Sequence, residues 1–312
     1  MAHIKLAVVG YGNMARNSYM PILHSVCDTI QLAALVEPDS AAVRDAATTY
    51  SFQNTYDDVG TMLADMVPDA AMVLVPAQYH YDVIFPLLEA GVDVYTEKPD
   101  TPKLDDAREL VALAEKNNCI YQVGQNRLFM ECLQRAENFF TDTPIDFAHV
   151  EKSKSYPNTS PEYLFDDGIH VVSPLLWMTG GVEEVLSARV VPDRLLSAHF
   201  GLSSGGAATL TMHSDAGYWV ERFLLHGQEK SANVITPDIA ELHEDGMQMG
   251  DQHVGRNATL FRPATLMGFQ GAVEHFLECC ESRQEPIGSA RSLLQVHELM
   301  NEVFRKAGLQ EL

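Results

Sequence analysis

Val8-Val9-Gly10-Tyr11-Gly12-Asn13-Met14-Ala15 is the stretch that decides the fold. An apolar run from Ile4 to Val9 reads as a buried strand, and a helix-compatible segment follows the glycines. Each fixed position of this G-x-G-x-x-A pattern has a physical reason. Gly10 lets the chain turn sharply out of the strand. Gly12 has no side chain, so a pyrophosphate can approach the backbone. Ala15 keeps the helix close to the strand. The free N–H groups of the helix start then face the phosphates. A second apolar run, Leu32 to Val36, ends at Glu37. A carboxylate at that strand tip can take both hydroxyls of an adenosine ribose and would repel a 2′-phosphate. The pattern therefore predicts a dinucleotide site holding NAD in preference to NADP. Its first contacts are Gly10, Tyr11, Gly12, Asn13, Met14 and Glu37.

Outward from this stretch, strands and helices alternate. Ser40 to Thr49 and Asp57 to Met66 read as helices, with 51–55 irregular between them. Asp69 to Val75 is an apolar strand ending at Pro76, and Tyr81 to Ala90 is a helix stopped by Gly91. Val92 to Thr96 is the next strand, Pro102 opens a helix to about Asn117, and Cys119 to Val123 is another strand. This rhythm predicts a doubly wound parallel sheet over residues 1–122, with ligands beyond the carboxyl ends of its strands. Those ends carry Pro76, Glu97-Lys98-Pro99 and Gly124-Gln125-Asn126-Arg127. A lysine directly after a buried strand can hydrogen-bond a substrate hydroxyl or carbonyl; the competing fate is a solvated loop-tip lysine.

From residue 123 the pattern changes. Leu128 to Phe140 is helical and Asp146 to Lys154 alternates like a strand. Lys152 to Ser160 reads as a polar loop, and Ser173-Pro174 interrupts the helical stretch Asp167 to Met178. The runs 185–191, 195–202, 207–213 and 222–226 have strand length. They predict a second, α+β domain over 123–312 with a large open, mostly antiparallel sheet. Asp238 to Arg262 reads as a connector, and its His243 and His253 have no recognised metal-ligand spacing, so no metal is expected. Asp166 and Asp167 lie four and three residues before His170. On a helix either spacing puts carboxylate and imidazole on one face, and the alternative is a cap with an incidental histidine.

The bulk properties suit two domains better than one. A chain of 312 residues can bury a large core. A formal charge of −22 argues against nucleic acid or an anionic membrane as partner. No apolar run is long enough for a bilayer, and no signal-peptide pattern opens the chain, so a cytoplasmic location is expected. Five cysteines without C-x-x-C spacing read as reduced structural thiols.

With Glu97-Lys98-Pro99 beside Gly10–Ala15, the chain resembles the family of glucose–fructose oxidoreductase, inositol dehydrogenase and the rhizopine-catabolism oxidoreductases. Gln125-Asn126-Arg127-Leu128-Phe129 is similar to that family's lead into its second domain. Asp166 to His170 is similar to its D-x-x-x-H element, and Phe269 to Ala307 to its C-terminal helices. Three positions depart from it. Val75-Pro76-Ala77-Gln78-Tyr79-His80 has Ala77 where asparagine is usual, though it keeps His80. Ser173 stands where an acid often follows the histidine, and Asp100 follows the E-K-P where an apolar residue is usual.

The resemblance implies hydride transfer between a nicotinamide cofactor and a secondary alcohol or ketone of a sugar, sugar acid or cyclitol. Lys98 would hold the reacting oxygen, His170 would take its proton, and Asp166 would position Lys98 or His170, with Asp167 as cap, substrate contact or the alternative carboxylate. Pro76, His80, Glu97, Lys98 and Gln125 would join the cofactor contacts. Arg127, Tyr156 and Tyr163 are candidate substrate contacts, each against an ordinary core or surface role. The resemblance also implies a homodimer or homotetramer formed through the C-terminal sheet, with C-terminal helices that can pack back on the first domain. A non-catalytic dinucleotide and sugar sensor of the same fold is the alternative.

Overall fold

The structure is a computed structural model, and it describes residues 3–250, 253 and 263–312. The chain forms two compact units. One is Met1–Gly124 with Phe269–Leu294, and the other is Gln125–Gly268 with Gln295–Leu312. The expectation from sequence was a cut at 122/123 with C-terminal helices that can pack back on the first domain; by contacts the first unit takes in Phe269–Leu294.

The first unit is built on β1 (Ile4–Val9), β2 (Ile30–Val36), β3 (Asn54–Tyr56), β4 (Ala70–Val73), β5 (Asp93–Thr96) and β6 (Tyr121–Val123). They run parallel in the order β3-β2-β1-β4-β5-β6. The connecting helices are α1 (Met20–Ser25, after one π-helical turn at Ala15–Tyr19), α2 (Ser40–Thr49), α3 (Val59–Asp65), α4 (His80–Glu89) and α5 (Leu104–Lys116). Every residue of β4, β5 and β6 is buried, as their apolar runs require. Asp39 and Asp58 cap α2 and α3 by accepting the N–H of Ala41 and Thr61, each at 2.8 Å. Residues 51–55, expected to be irregular, contain the start of β3. That edge strand is three residues long and largely exposed, so no apolar run marks it. The order reverses between β1 and β4, which opens a crevice at their carboxyl ends.

The second half opens with a 3₁₀ turn at Asn126–Phe129 and α6 (Glu131–Phe139). The single helix expected over 128–140 is thus two pieces, parted by the extended Met130. Then come β7 (Ile145–Ser155), α7 (Pro161–Thr179), β8 (Val182–Val191), β9 (Leu195–Leu202), β10 (Ala207–His213), β11 (Asp215–Gly227), β12 (Lys230–Ile235), β13 (Ile239–Glu244) and β14 (Met247–Gln248). The helices α8 (Pro263–Leu266), α9 (Phe269–Ser282) and α10 (Ala290–Ala307) close the chain. The eight strands form one sheet in the order β14-β13-β12-β11-β7-β10-β9-β8, antiparallel except for β7 beside β10.

Three expectations are corrected here. Residues 238–250 are not connector, since β13 and β14 lie there; 251–252 and 254–262 lie outside the described residues. Lys152 to Ser155 belongs to β7 and not to a loop. Helix α7 also runs unbroken through Ser173 and Pro174. Pro174 has no N–H for the His170 carbonyl four residues back. Burial of Val171, Val172 and Leu175 around it carries the helix across that missing bond.

Helix α9 completes the first unit. Phe269 packs edge-on against Tyr19 and Phe276 against Tyr95, with ring centroids 5.8 and 5.7 Å apart. The open edge of β6 is covered from the same segment. The Val123 N–H bonds the Gly288 carbonyl at 2.9 Å, and Gln122 Nε2 bonds the Ala272 carbonyl at 2.9 Å. Beyond α9, Arg283 reaches Asp93 at 2.5 and 3.1 Å, while Asp93 Oδ1 also accepts the Ile120 N–H at 2.8 Å. No helix among the described residues is long and apolar enough to cross a membrane. Replacing Asp93 with alanine strips the half-exposed Arg283 of its carboxylate and leaves a buried N–H unsatisfied. The expected cost is about 2–4 kcal/mol, read as a lower urea midpoint; an unchanged midpoint would refute the role given to this clasp.

Candidate functional site

A cavity of about 600 Å³ lies within the first unit at the carboxyl ends of β1, β2 and β4. Gly10, Tyr11, Gly12, Glu37, Pro76 and Tyr79 are among its lining. Gly10 has φ +92°, and a Cβ there would stand 2.8 Å from Val75 Cγ1 and 3.0 Å from the Leu74 carbonyl, so only glycine fits. At Gly12 a Cβ would meet nothing within 4 Å, which leaves open space above the backbone. Glu37 is fixed at the rim. One carboxylate oxygen accepts the Tyr11 N–H at 2.8 Å and the other the Asp39 N–H at 3.0 Å. A carboxylate has about four lone-pair positions, so both oxygens keep accepting capacity. Asn13 and Met14 are exposed at the helix start and do not line this cavity.

His80 was expected among the cofactor contacts. Its ring is buried, 1 % exposed, and lies under the cavity wall. Nδ1 sits 2.8 Å from the Pro99 carbonyl and Nε2 2.8 Å from the Val75 carbonyl. Burial holds its pKa below the ordinary histidine value, against the pull of those carbonyls. The ring thus joins the end of β4 to the E-K-P turn, and it offers no nitrogen to the cavity.

That turn follows β5, with a cis peptide between Lys98 and Pro99. Glu97 Oε2 accepts the Lys98 N–H at 3.1 Å, and its other oxygen accepts the hydroxyl of Tyr19. Tyr19 also lies 3.1 Å, hydroxyl to hydroxyl, from Tyr95. Burial and the nearby Glu97 push Tyr19 well above the ordinary tyrosine pKa, so it stays a donor. Tyr19 ends the π-helical turn that follows the glycines, so it ties the phosphate-side helix to the peptide that carries Lys98. Lys98 itself is half-buried. Asp100 is fully buried; Oδ1 accepts the Thr101 N–H at 2.9 Å and Oδ2 has no partner among the described residues. Burial raises its pKa to about 7.

The second unit gathers the remaining candidates. Tyr163, Asp166, Asp167 and His170 all lie on α7. Asp167 Oδ1 is 2.9 Å from Lys154 Nζ and 3.4 Å from Lys152 Nζ. Lys152 also pairs with Glu221, which Arg127 grips in a fork at 2.9 and 3.1 Å. Thr236 Oγ1 adds a bond to Glu221 at 3.1 Å. Burial would push Glu221 up, but Arg127 and Lys152 hold it below the ordinary carboxylate value. Arg127, expected as a substrate contact, is therefore committed to Glu221. The rings of Tyr156 and Tyr163 lie tilted against each other with centroids 5.6 Å apart, and Lys154 Nζ lies 4.6 Å over the Tyr163 ring. Gln125 is buried, 3 % exposed, at the start of this unit, whereas Lys98 and Glu97 belong to the first.

Tyr19, Lys152, Lys154 and Glu221 were not singled out from sequence. A signal existed for two of them. Ala148, Val150, Lys152 and Lys154 keep the period of two along β7, so both lysines continue the inward series. Nothing comparable marks Tyr19, whose partner is 78 residues away in sequence.

The geometry can be set beside known proteins. Residues 4–125 match the family described as oxidoreductase family, NAD-binding Rossmann fold. The Salmonella typhimurium protein YceM is 25% identical over 98% of this chain and 99% of its own length. Inositol 2-dehydrogenase of Corynebacterium glutamicum is 30% identical over 64% of this chain and 60% of its own. Among solved structures, a dehydrogenase (MviM) from Clostridium difficile has a TM-score of 0.84 at 22% identity, over 97% of this chain and 99% of that one. An Agrobacterium radiobacter oxidoreductase solved with NAD+, L-tartaric acid and magnesium has a TM-score of 0.83 at 16% identity, over 98% and 97%. Residues 4–125 thus match the model of that NAD-binding oxidoreductase family, and both sheets of the chain share the fold of these structures.

Asp100 gives this site a pH signature. Its carboxyl binds a proton in the folded state up to about pH 7, but in the unfolded chain only up to about pH 4. The folded state therefore holds the extra proton between those limits, and Asp100 lowers stability as pH rises through them. An Asp100→Asn variant should gain on the wild type by on the order of a few kcal/mol from pH 4 to pH 7. Thermal midpoints of both proteins across that range check this. Parallel curves would mean that Asp100 titrates normally.

Proposed function

We propose that this chain is an NAD-dependent dehydrogenase that interconverts a secondary alcohol and its ketone on a sugar, sugar acid or cyclitol. The carrying observation is the cavity at the carboxyl ends of β1, β2 and β4, with Gly12 bare and Glu37 anchored at its rim. These residues fit a dinucleotide. The anchored carboxylate can accept two ribose hydroxyls, and the helix start at Asn13 presents N–H groups to phosphates. Kinship with an NAD-binding family, an inositol dehydrogenase among the relatives and an NAD+ complex among similar folds support the reading.

The dinucleotide, when bound, supplies the hydride acceptor. The protein's own groups handle position and proton. Lys98 Nζ donates to the substrate oxygen and stabilises the negative charge that grows there. His170 takes the hydroxyl proton on its imidazole, and Asp166, one helical turn before it, orients that ring. Tyr19 and Glu97 hold the Lys98 peptide in place. The same reading makes the protein a homodimer or homotetramer associating through the second sheet, where Phe147 is exposed.

Lys98→Ala and His170→Ala should each cut turnover by on the order of a hundredfold or more. Calorimetry should show NAD binding intact in both. The assay is NADH formation over a panel of sugars, sugar acids and inositols, and undiminished turnover in both variants would sink the assignment. Glu37 carries the cofactor preference. Glu37→Ala should move the NAD to NADP ratio of kcat/KM toward NADP by about tenfold or more, since a 2′-phosphate no longer meets a carboxylate. A ratio unchanged from wild type would remove Glu37 from that role.

A further inference from the structure

We infer that Lys154 is the anion-binding group of the substrate site, so that the substrate is a sugar acid held by its carboxylate. The inference rests on the dehydrogenase reading above and narrows its substrate class.

Contacts in the second unit form one chain of alternating charge: Arg127, Glu221, Lys152, Asp167, Lys154. It begins and ends in a cation. Its interior is buried, with Glu221 at 0% and Lys152 at 3% side-chain exposure, and only the Lys154 end, at 25%, reaches the surface. A buried ionic chain is a poor device for stability, because apolar residues of similar volume usually do as well or better. What the chain does achieve is a lysine held in one place. Asp167 takes one N–H of its ammonium and the Tyr163 ring lies beneath it. Burial would lower the pKa of Lys154, but Tyr163 and Asp167 raise it above the ordinary lysine value, so it is a permanent cation. An ammonium has three donors. With Asp167 shared between two lysines, the outward face of Lys154 can take a further carboxylate.

The position suits a substrate. Asp167 is three residues before His170 on α7, about 4.5 Å along the helix axis. A carboxylate on Lys154 would therefore leave a carbinol a few carbons away within range of the imidazole. Tyr156, tilted against Tyr163 and 60% exposed, adds an aromatic wall for the sugar's C–H face. The site favours a carboxylate over a phosphate. A dianion is usually met by several donors, arginine forks or backbone N–H groups, whereas here one ammonium stands beside the negative Asp167.

The test is a matched panel with NAD and full-length protein: aldonates and uronates against the corresponding alditols and aldoses, with sugar phosphates as a third arm. The best acid should exceed its neutral counterpart in kcat/KM by about a hundredfold. Lys154→Met should lower kcat/KM for that acid by about a hundredfold, mainly through KM, and for the neutral counterpart by less than about fivefold. Lys154→Arg should restore much of the loss. Equal use of acid and neutral sugar, a phosphate preferred to both, or equal losses in Lys154→Met would overturn the inference while leaving dehydrogenase activity standing. Binding separates the two readings where no sugar turns over. D-gluconate and D-glucuronate titrated calorimetrically into NAD-loaded protein should bind the wild type at least tenfold more tightly than Lys154→Met. Equal binding would count against Lys154, and NADH formation absent from every arm would count against the dehydrogenase reading alone.

Discussion

At Gly10 the chain passes so close to the Leu74 carbonyl that a single methyl group would collide with it. Much of the first unit is arranged around that approach. The Gly10 N–H bonds the Val36 carbonyl on one side at 2.9 Å, and the Leu74 N–H bonds the Val9 carbonyl on the other at 2.8 Å. Three strand ends are thereby fastened to one turn, and the crevice begins where they stop. Glu37 stands at the rim because its strand pairs in register with β1, and its carboxylate folds back onto the N–H of the residue after Gly10. A small apolar clearance and a few backbone bonds therefore fix the charge that faces a ribose.

The legible parts of this fold are those governed by local rules. Strand β1, the glycine turn, helix α2 and the strands β9 and β10 lie where periodicity and turn chemistry put them, because short-range spacing determines both. What was not legible depends on distant partners. Strand β3 exists because β2 offers it an edge, not because Asn54-Thr55-Tyr56 favours extension. Helix α7 crosses Pro174 because tertiary burial outweighs one lost backbone bond. β13 is polar enough to read as connector, yet it pairs along its length with β12.

The candidate site divides along the same line. The residues around Gly10 are legible because each supplies a backbone property that sequence encodes directly. His80 and Arg127 were visible as residue types, but their partners were not. His80 lies between two carbonyls and Arg127 around a buried glutamate from 94 residues further on. Asp100 was visible only as an unusual choice, and the structure gives its consequence. A position where the resemblance leads one to expect an apolar residue is fully enclosed, and burial keeps its carboxyl protonated up to about pH 7. An ionisable side chain thus takes the place of a hydrocarbon by giving up its charge.

The clasp of β6 by residues 269–294 has a consequence for how the protein is made. The first unit is discontinuous, so its last sheet edge stays bare while some 145 residues of the second unit are synthesised. At ribosomal speeds of about 5–20 residues per second, that interval lasts about seven to thirty seconds. During it, the β6 backbone and the aromatic surface around Tyr19 and Tyr95 wait without α9. The nascent chain therefore presents an unpaired strand edge to its surroundings long after the strand itself has left the exit tunnel. That interval closes only when Gly288 emerges and its carbonyl takes the Val123 N–H.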